Sequence, residues 1–123
     1  MDDDEGRDRA HRDDVNGVDA DGLLEAAELF KLLGNASRLR LLLTLERSPC
    51  SVSLLAEATG MSQPLVSQHL RSLRQLDLVA ARRLGREVVY RVADSHVTHI
   101  VGDAVAHVHE IGSTGDISGS EEE

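Results

Sequence analysis

Of the six histidines and acids in residues 96 to 110 of this 123-residue chain, five are potential metal ligands near one stripe of a helix: His96, His99, Asp103, His107 and Glu110. At about 100° per residue of α-helix, all five fall within a sector narrower than about 90°. Asp94, two residues before His96, adds a further carboxylate. Position along the axis limits how these groups can cooperate. His96 and His107 are eleven residues apart, which is roughly 16 Å of helix, so no single ion can bind both on one helix. If Asp94 and His96 share an ion with His107 and Glu110, the second pair must come from another helix running antiparallel. A two-fold dimer supplies that arrangement, and supplies it twice. Two carboxylates with two imidazoles form an oxygen and nitrogen set suited to tetrahedral Zn²⁺, with Co²⁺ and Ni²⁺ as competitors. His99 and Asp103, four residues apart, offer the alternative of chelation within one helix, while His109 points elsewhere. Cys50 is the single cysteine, which excludes an internal disulfide and any multi-cysteine zinc module within the chain.

The elements that must position these groups follow from the pattern of apolar residues. Phe30 and Tyr90 are the only aromatics, so Leu, Val and Ala must fill the core, and the length suits one small domain. A first helix, capped by Asp21, carries Leu23, Ala27, Phe30 and Leu33 at helical spacing and ends at Gly34. A leucine-rich second helix runs from about Ala36 to Glu46 behind an Asn35 cap, and Pro49 prevents its continuation. Val52, Leu55, Ala56 and Ala58 mark a short helix broken by Gly60, and Ser62 opens another that reaches about Gln75, so the pair reads as helix-turn-helix. Met61 and Val66 occupy the two positions of a hydrophobic staple around the Ser62 cap. From Leu78 the period changes to two, with a strand through Arg83, a turn at residues 84–87 and a second strand through Val92. Asp94 can then cap a last helix, from about Ser95 to Ile111. The expected fold is mainly α with a β-hairpin, a winged helix-turn-helix that forms a homodimer. Its domain spans residues 21–111, between disordered acidic tails at 1–20 and 112–123.

A net charge of −9 disfavours nucleic acid only when read globally. Residues 36–92 carry nine arginines against Glu46, Glu57, Asp77 and Glu87, a basic stretch between acidic ends and the footprint of a phosphate-facing surface. On the 62–75 helix, Val66, Leu70 and Leu73 form the inward stripe. Gln63, Ser67 and Arg71 recur every four residues on another face, joined by Gln68 and Arg74, and such side chains suit base edges and phosphates. In a winged helix that helix enters the major groove, while Arg82, Arg83 and Arg86 of the hairpin reach phosphate or the minor groove. The DNA-contacting set is therefore Ser62, Gln63, Ser67, Gln68, His69 and Arg71 on the helix, with Arg83 and Arg86 on the wing. The longest apolar run is far short of the roughly 18 residues of a membrane span, and an acidic N-terminus is unlike a targeting peptide, which points to the cytoplasm. An enzyme is not expected: no nucleophile constellation is present, and a metal closed by four protein ligands leaves no open coordination position.

At these residues the chain resembles the ArsR/SmtB family of metal-responsive winged-helix repressors. The likeness covers about residues 22–111 and is carried by LLGNASRLRLLLTL at 32–45, LLAEATGMSQPLVSQHLRSLRQLDLV at 54–79 and GREVVYRV at 85–92. More specific is D-x-H followed eleven residues on by H-x-x-E, which resembles the zinc site on the last helix of the zinc-sensing branch, where the ligands bridge two subunits. The chain departs from the thiolate sensors of the family: Ser51 and Ser53 stand where a Cys-x-Cys motif would fall, and Leu54 replaces an acidic residue. The resemblance implies a zinc-responsive homodimeric repressor that leaves operator double-stranded DNA when metal binds. It also implies that the second ring nitrogen of His107 bonds a backbone carbonyl just after the DNA-reading helix, at the position of Asp77. The alternative is a winged-helix regulator answering to nickel, cobalt or a non-metal signal. For nickel or cobalt, His11 of the tail could complete a larger shell.

Overall fold

The computed structural model describes residues 19–121, with side chains through Ile111. The expected N-terminal tail up to residue 18, with His11, lies outside the described residues. Contacts divide the chain at Gly34 into two units.

The first unit contributes helix α1, Ala20–Leu33. Its cap is Asp19 rather than Asp21: the Asp19 carboxylate accepts from the Gly22 backbone N–H at 2.6 Å. Asp19 is the residue whose backbone is extended (φ −76°, ψ 163°), as a cap requires. Asp21 is left in the first turn, where its charge still complements the helix dipole. At the other end the Gly34 N–H donates to the Lys31 carbonyl. Leu23, Leu24 and Phe30 are exposed on this helix.

The second unit is built around α2, Ala36–Arg47. Asn35 caps it by accepting from the Arg38 N–H at 3.0 Å, and Leu41, Leu42 and Leu45 are buried. The helix packs against every other helix of the unit and against the last strand, so the leucine-rich stretch is the hub of the core. Helix α3, Val52–Thr59, is capped by Ser51 and closed by Gly60. Gly60 has φ +75°, a left-handed conformation that glycine takes without steric cost. Ser62 then caps α4, Gln63–Gln75, by accepting from Leu65 N–H at 3.3 Å. The inward stripe is as expected, with Val66, Leu70 and Leu73 buried.

Helix α4 ends in a Schellman motif. Asp77 N–H donates to the Arg74 carbonyl and Leu78 N–H to the Leu73 carbonyl, at 2.9 and 3.0 Å, and the buried Leu73 and Leu78 are the apolar pair that accompanies such a cap. Asp77 sits at the left-handed position with φ +58°, which Asp tolerates better than most non-glycine residues. The sheet has three strands rather than two. β1, Cys50–Ser51, adds to the hairpin of β2, Val79–Leu84, and β3, Glu87–Val92, in the order β1-β3-β2. Cys50 lies opposite Tyr90 and Ser51 opposite Val89. Two residues are too few to show an alternating pattern, so β1 is defined only by its partner. Leu84 pairs with Glu87, leaving Gly85 and Arg86 at the tip, and Gly85 takes φ +67°.

Helix α5 begins at Ser95 and continues to Glu121, ten residues past the expected end. The stretch beyond Ile111 has small polar residues but no proline, and each glycine costs a helix only about 1 kcal/mol relative to alanine. Val97, Thr98 and Val101 are buried where α5 meets α2.

His69 corrects an expectation. Counted above among the DNA-facing residues, it is buried, and the Arg38 Nε–H donates to its Nδ1 at 3.3 Å. The helical wheel explains this, because His69 lies about 60° from Val66 and about 40° from Leu73, on the core side. Burial first, and the neighbouring Arg38 cation second, lower its pKa below the usual 6.5. Above pH 6.5 the ring is neutral in folded and unfolded chains alike, so His69 adds no pH dependence there. As pH falls below that value the unfolded state takes up the proton first, and stability is lost until the folded ring also titrates. Urea midpoints should therefore fall with pH more steeply in the wild type than in His69→Gln. Equal pH dependence of the two proteins would refute this role.

Candidate DNA surface and metal centre

On the outer side of α4, Gln63, Gln68, Arg71 and Arg74 are exposed and Ser67 is half-buried. Ser62 is exposed while its oxygen serves as the helix cap. Arg82, Arg83 and Arg86 are exposed on the wing, and Arg83 turns back to donate to the Gly85 carbonyl at 3.5 Å, leaving Arg86 at the tip. The helix thus offers amides, hydroxyls and guanidinium groups beside an arginine-bearing hairpin. Of the helix residues expected to face DNA, His69 alone lies inside. In its place, Arg74, Gln75 and Tyr90 line a cleft with Ser67 and Arg71. Tyr90 could not be placed there from its alternating strand pattern, which leaves open the element it faces.

The candidate metal ligands lie along α5. Asp94 Oδ1 accepts from the His96 backbone N–H at 3.0 Å and lies 3.6 Å from His96 Nδ1. The cap bond therefore also holds a carboxylate oxygen beside an imidazole nitrogen. Two donors on one tetrahedral Zn²⁺, each at about 2.0–2.1 Å, sit about 3.3 Å apart, so the pair fits a divalent ion with little adjustment. His96 is almost wholly solvated, with a side chain 95% exposed, and His107 and Glu110 are exposed further along the helix. Among the described residues of one chain, no three metal-binding groups come together. A four-ligand set from these residues needs a second copy. His99, Asp103 and His109 are also exposed. Ser51 caps α3 and shares a 3.2 Å hydrogen bond with Ser53, so the position matching the thiolate site is occupied by a local capping network. Cys50 Sγ donates to the Ser48 carbonyl at 3.3 Å. Ile100, Val105, Val108 and Ile111 expose an apolar surface on α5.

Comparison with known proteins bears directly on this arrangement. The family model described as bacterial regulatory protein, arsR family, matches residues 35–81, from the cap of α2 to the start of the wing. The HTH-type transcriptional repressor SmtB of Mycobacterium tuberculosis is 47% identical over 89 residues, covering 72% of this chain and 66% of that protein. The crystal structure of the AntR antimony-specific transcriptional repressor superposes with a TM-score of 0.72 at 33% identity, covering 81% of this chain and 91% of that one. The chain belongs to the ArsR family. The ArsR chain is also similar to the solution structure of a homodimeric winged helix-turn-helix DNA-binding domain from Mycobacterium bovis, described as a possible ArsR-family transcriptional regulator, with a TM-score of 0.65 and 34% identity over 75% of this chain and 84% of that one. The present ArsR chain spans about two thirds of the length of the M. tuberculosis SmtB it matches. Among its described residues no helix is long and apolar enough to cross a membrane.

Proposed function

We propose that this ArsR-family chain is a homodimeric, metal-responsive transcriptional repressor of the cytoplasm, which holds operator DNA through α4 and the wing and leaves it when metal is bound. The observation that carries the reading is the Asp94–His96 pair, with donor atoms 3.6 Å apart, at the start of a helix that also presents His107 and Glu110. The exposed polar face of α4 and the arginines of the wing support the DNA half. The exposed apolar residues of α1 and of α5, each considered on its own helix, support self-association, because such surface is normally covered by a partner.

Asp94 and His96 of one copy, with His107 and Glu110 of a second, would hold the ion. The donor set, two carboxylates and two imidazoles, suits tetrahedral Zn²⁺, with Co²⁺ and Ni²⁺ as the competitors. What the ion supplies is a rigid cross-link between copies. A histidine that ligates through one nitrogen commonly donates its other N–H to an acceptor. By the resemblance to the family, that acceptor for His107 would be the Asp77 carbonyl, at the left-handed residue that follows the DNA-reading helix. This bond would tie the dimer helix to the reading head and bias the spacing of two α4 helices that must fit successive major grooves.

The test is a titration of the protein–DNA complex with zinc, cobalt and nickel in parallel, using the promoter fragment the protein selects from a genomic library. Selective binding that zinc weakens by about 5-fold to 150-fold is expected, the range of ordinary allosteric couplings. Equal affinity for selected and random duplex would overturn the DNA assignment, and DNA affinity indifferent to all three metals would overturn the metal response.

A further inference from the structure

The cleft between α4 and the sheet is lined by Ser67, Arg71, Arg74, Gln75 and Tyr90, and its volume is about 530 Å³. It contains two guanidinium groups, two hydroxyls and an amide, and no acid lines it. Ser67, Arg71, Arg74 and Gln75 come from one side of the reading helix, Arg71 lying four residues after Ser67 and three or four before Arg74 and Gln75, and Tyr90 comes from β3. Arg71 and Arg74 are exposed, so their charges are open to a ligand, while Tyr90 is half-buried on the sheet.

The position of the cleft decides its use. A helix in the major groove and a wing reaching the adjacent minor groove have one sugar-phosphate strand between them. That strand must cross between helix and wing, and the cleft lies on that side of the fold, between the C-terminal half of α4 and the sheet that carries the wing. We infer that the cleft seats one backbone phosphodiester of DNA, with Arg71 and Arg74 supplying the charge and Tyr90 a hydroxyl donor. Guanidinium forks match the two non-bridging oxygens of a phosphodiester, and Ser, Gln and Tyr are usual donors to backbone phosphate. A seat of this kind reads no sequence; it sets the depth and register at which Gln63 and Gln68 meet the bases. The inference rests on the DNA-binding reading proposed above.

The test uses the full chain and a random duplex of about three helical turns, with binding measured against salt concentration. Arg74→Gln should lose about tenfold in affinity per protomer. Its plot of log K against log salt should be shallower by about 0.9 per protomer, the release expected for one phosphate contact. Tyr90→Phe should weaken binding with the slope unchanged, because it removes a neutral donor. Arg91→Gln is the matched control: it loses the same charge from an exposed residue next to Tyr90 in β3, on the opposite face of the sheet. Equal slope changes in Arg74→Gln and Arg91→Gln would mean a diffuse charge effect and overturn the seat. Wild-type protein with a steep salt slope that Arg74→Gln leaves intact would overturn the seat alone, whereas wild type that binds no duplex would overturn the DNA reading together with it. Inorganic phosphate, followed by ³¹P NMR line broadening at constant ionic strength, separates the remaining source. Binding lost in Arg74→Gln alongside an unchanged DNA slope would assign the cleft to a free anion and overturn the proposal.

Discussion

His107→Ala should abolish tight metal binding, whereas Cys50→Ser should leave it intact. His107 is exposed on α5, so its removal costs the fold almost nothing and the loss can be read as a loss of ligation. The expected fall in affinity exceeds the roughly 10-fold to 100-fold that removing a merely supporting partner costs, because one of four donors is gone and no neighbouring group replaces it. Asp94→Asn is less clean: the carboxylate also accepts from the His96 N–H, so the helix start and the donor pair change together. Competition against a chromophoric chelator should give two equivalent ions per wild-type dimer. DNA should weaken metal binding by the same factor by which metal weakens DNA binding, since the two are linked. If Cys50→Ser lost the metal and His107→Ala kept it, the site would lie in the sheet rather than on the last helix.

Leu42→Ala should cost about 2–5 kcal/mol of stability, a large part of the roughly 5–15 kcal/mol that holds a domain of this size. Leu42 is fully buried on the helix that packs against α3, α4, β3 and α5, so its cavity has rigid walls on several sides. Val108→Ala is the informative partner, because Val108 is 66% exposed. It should leave the unfolding free energy of dilute protein within about 0.5 kcal/mol of wild type and instead raise the dimer dissociation constant. Denaturant melts at two protein concentrations, with sedimentation equilibrium, separate the effects. A loss from Val108→Ala as large as that from Leu42→Ala, independent of concentration, would show that Val108 is core.

Local chemistry determined much of this protein before any tertiary contact is considered. Asn35 and Ser62 cap their helices as their side chains dictate, Gly60 turns where a left-handed residue is needed, and the two-residue wing tip falls at Gly85 and Arg86 because the alternation reverses there. His96, His107 and Glu110 share one side of a helix that Asp94 precedes for the same reason, since a period of 3.6 is written in the spacing itself. Which side of an element meets which neighbour is a different kind of information. The spacing of His69 from Val66 and Leu73 already puts it on the core side of its helix, but only the packing of α2 supplies Arg38 as the partner of its Nδ1. Asp19 rather than Asp21 caps α1 because two carboxylates two residues apart are chemically equivalent caps, and backbone conformation selects between them. β1 exists only because β3 is beside it, and Tyr90 lines a cleft with Arg71 and Arg74 only because the sheet folds back towards α4. Spacing along the chain determines a residue's direction from its own axis, whereas contact depends on the relative placement of two axes, which the packing of the core decides.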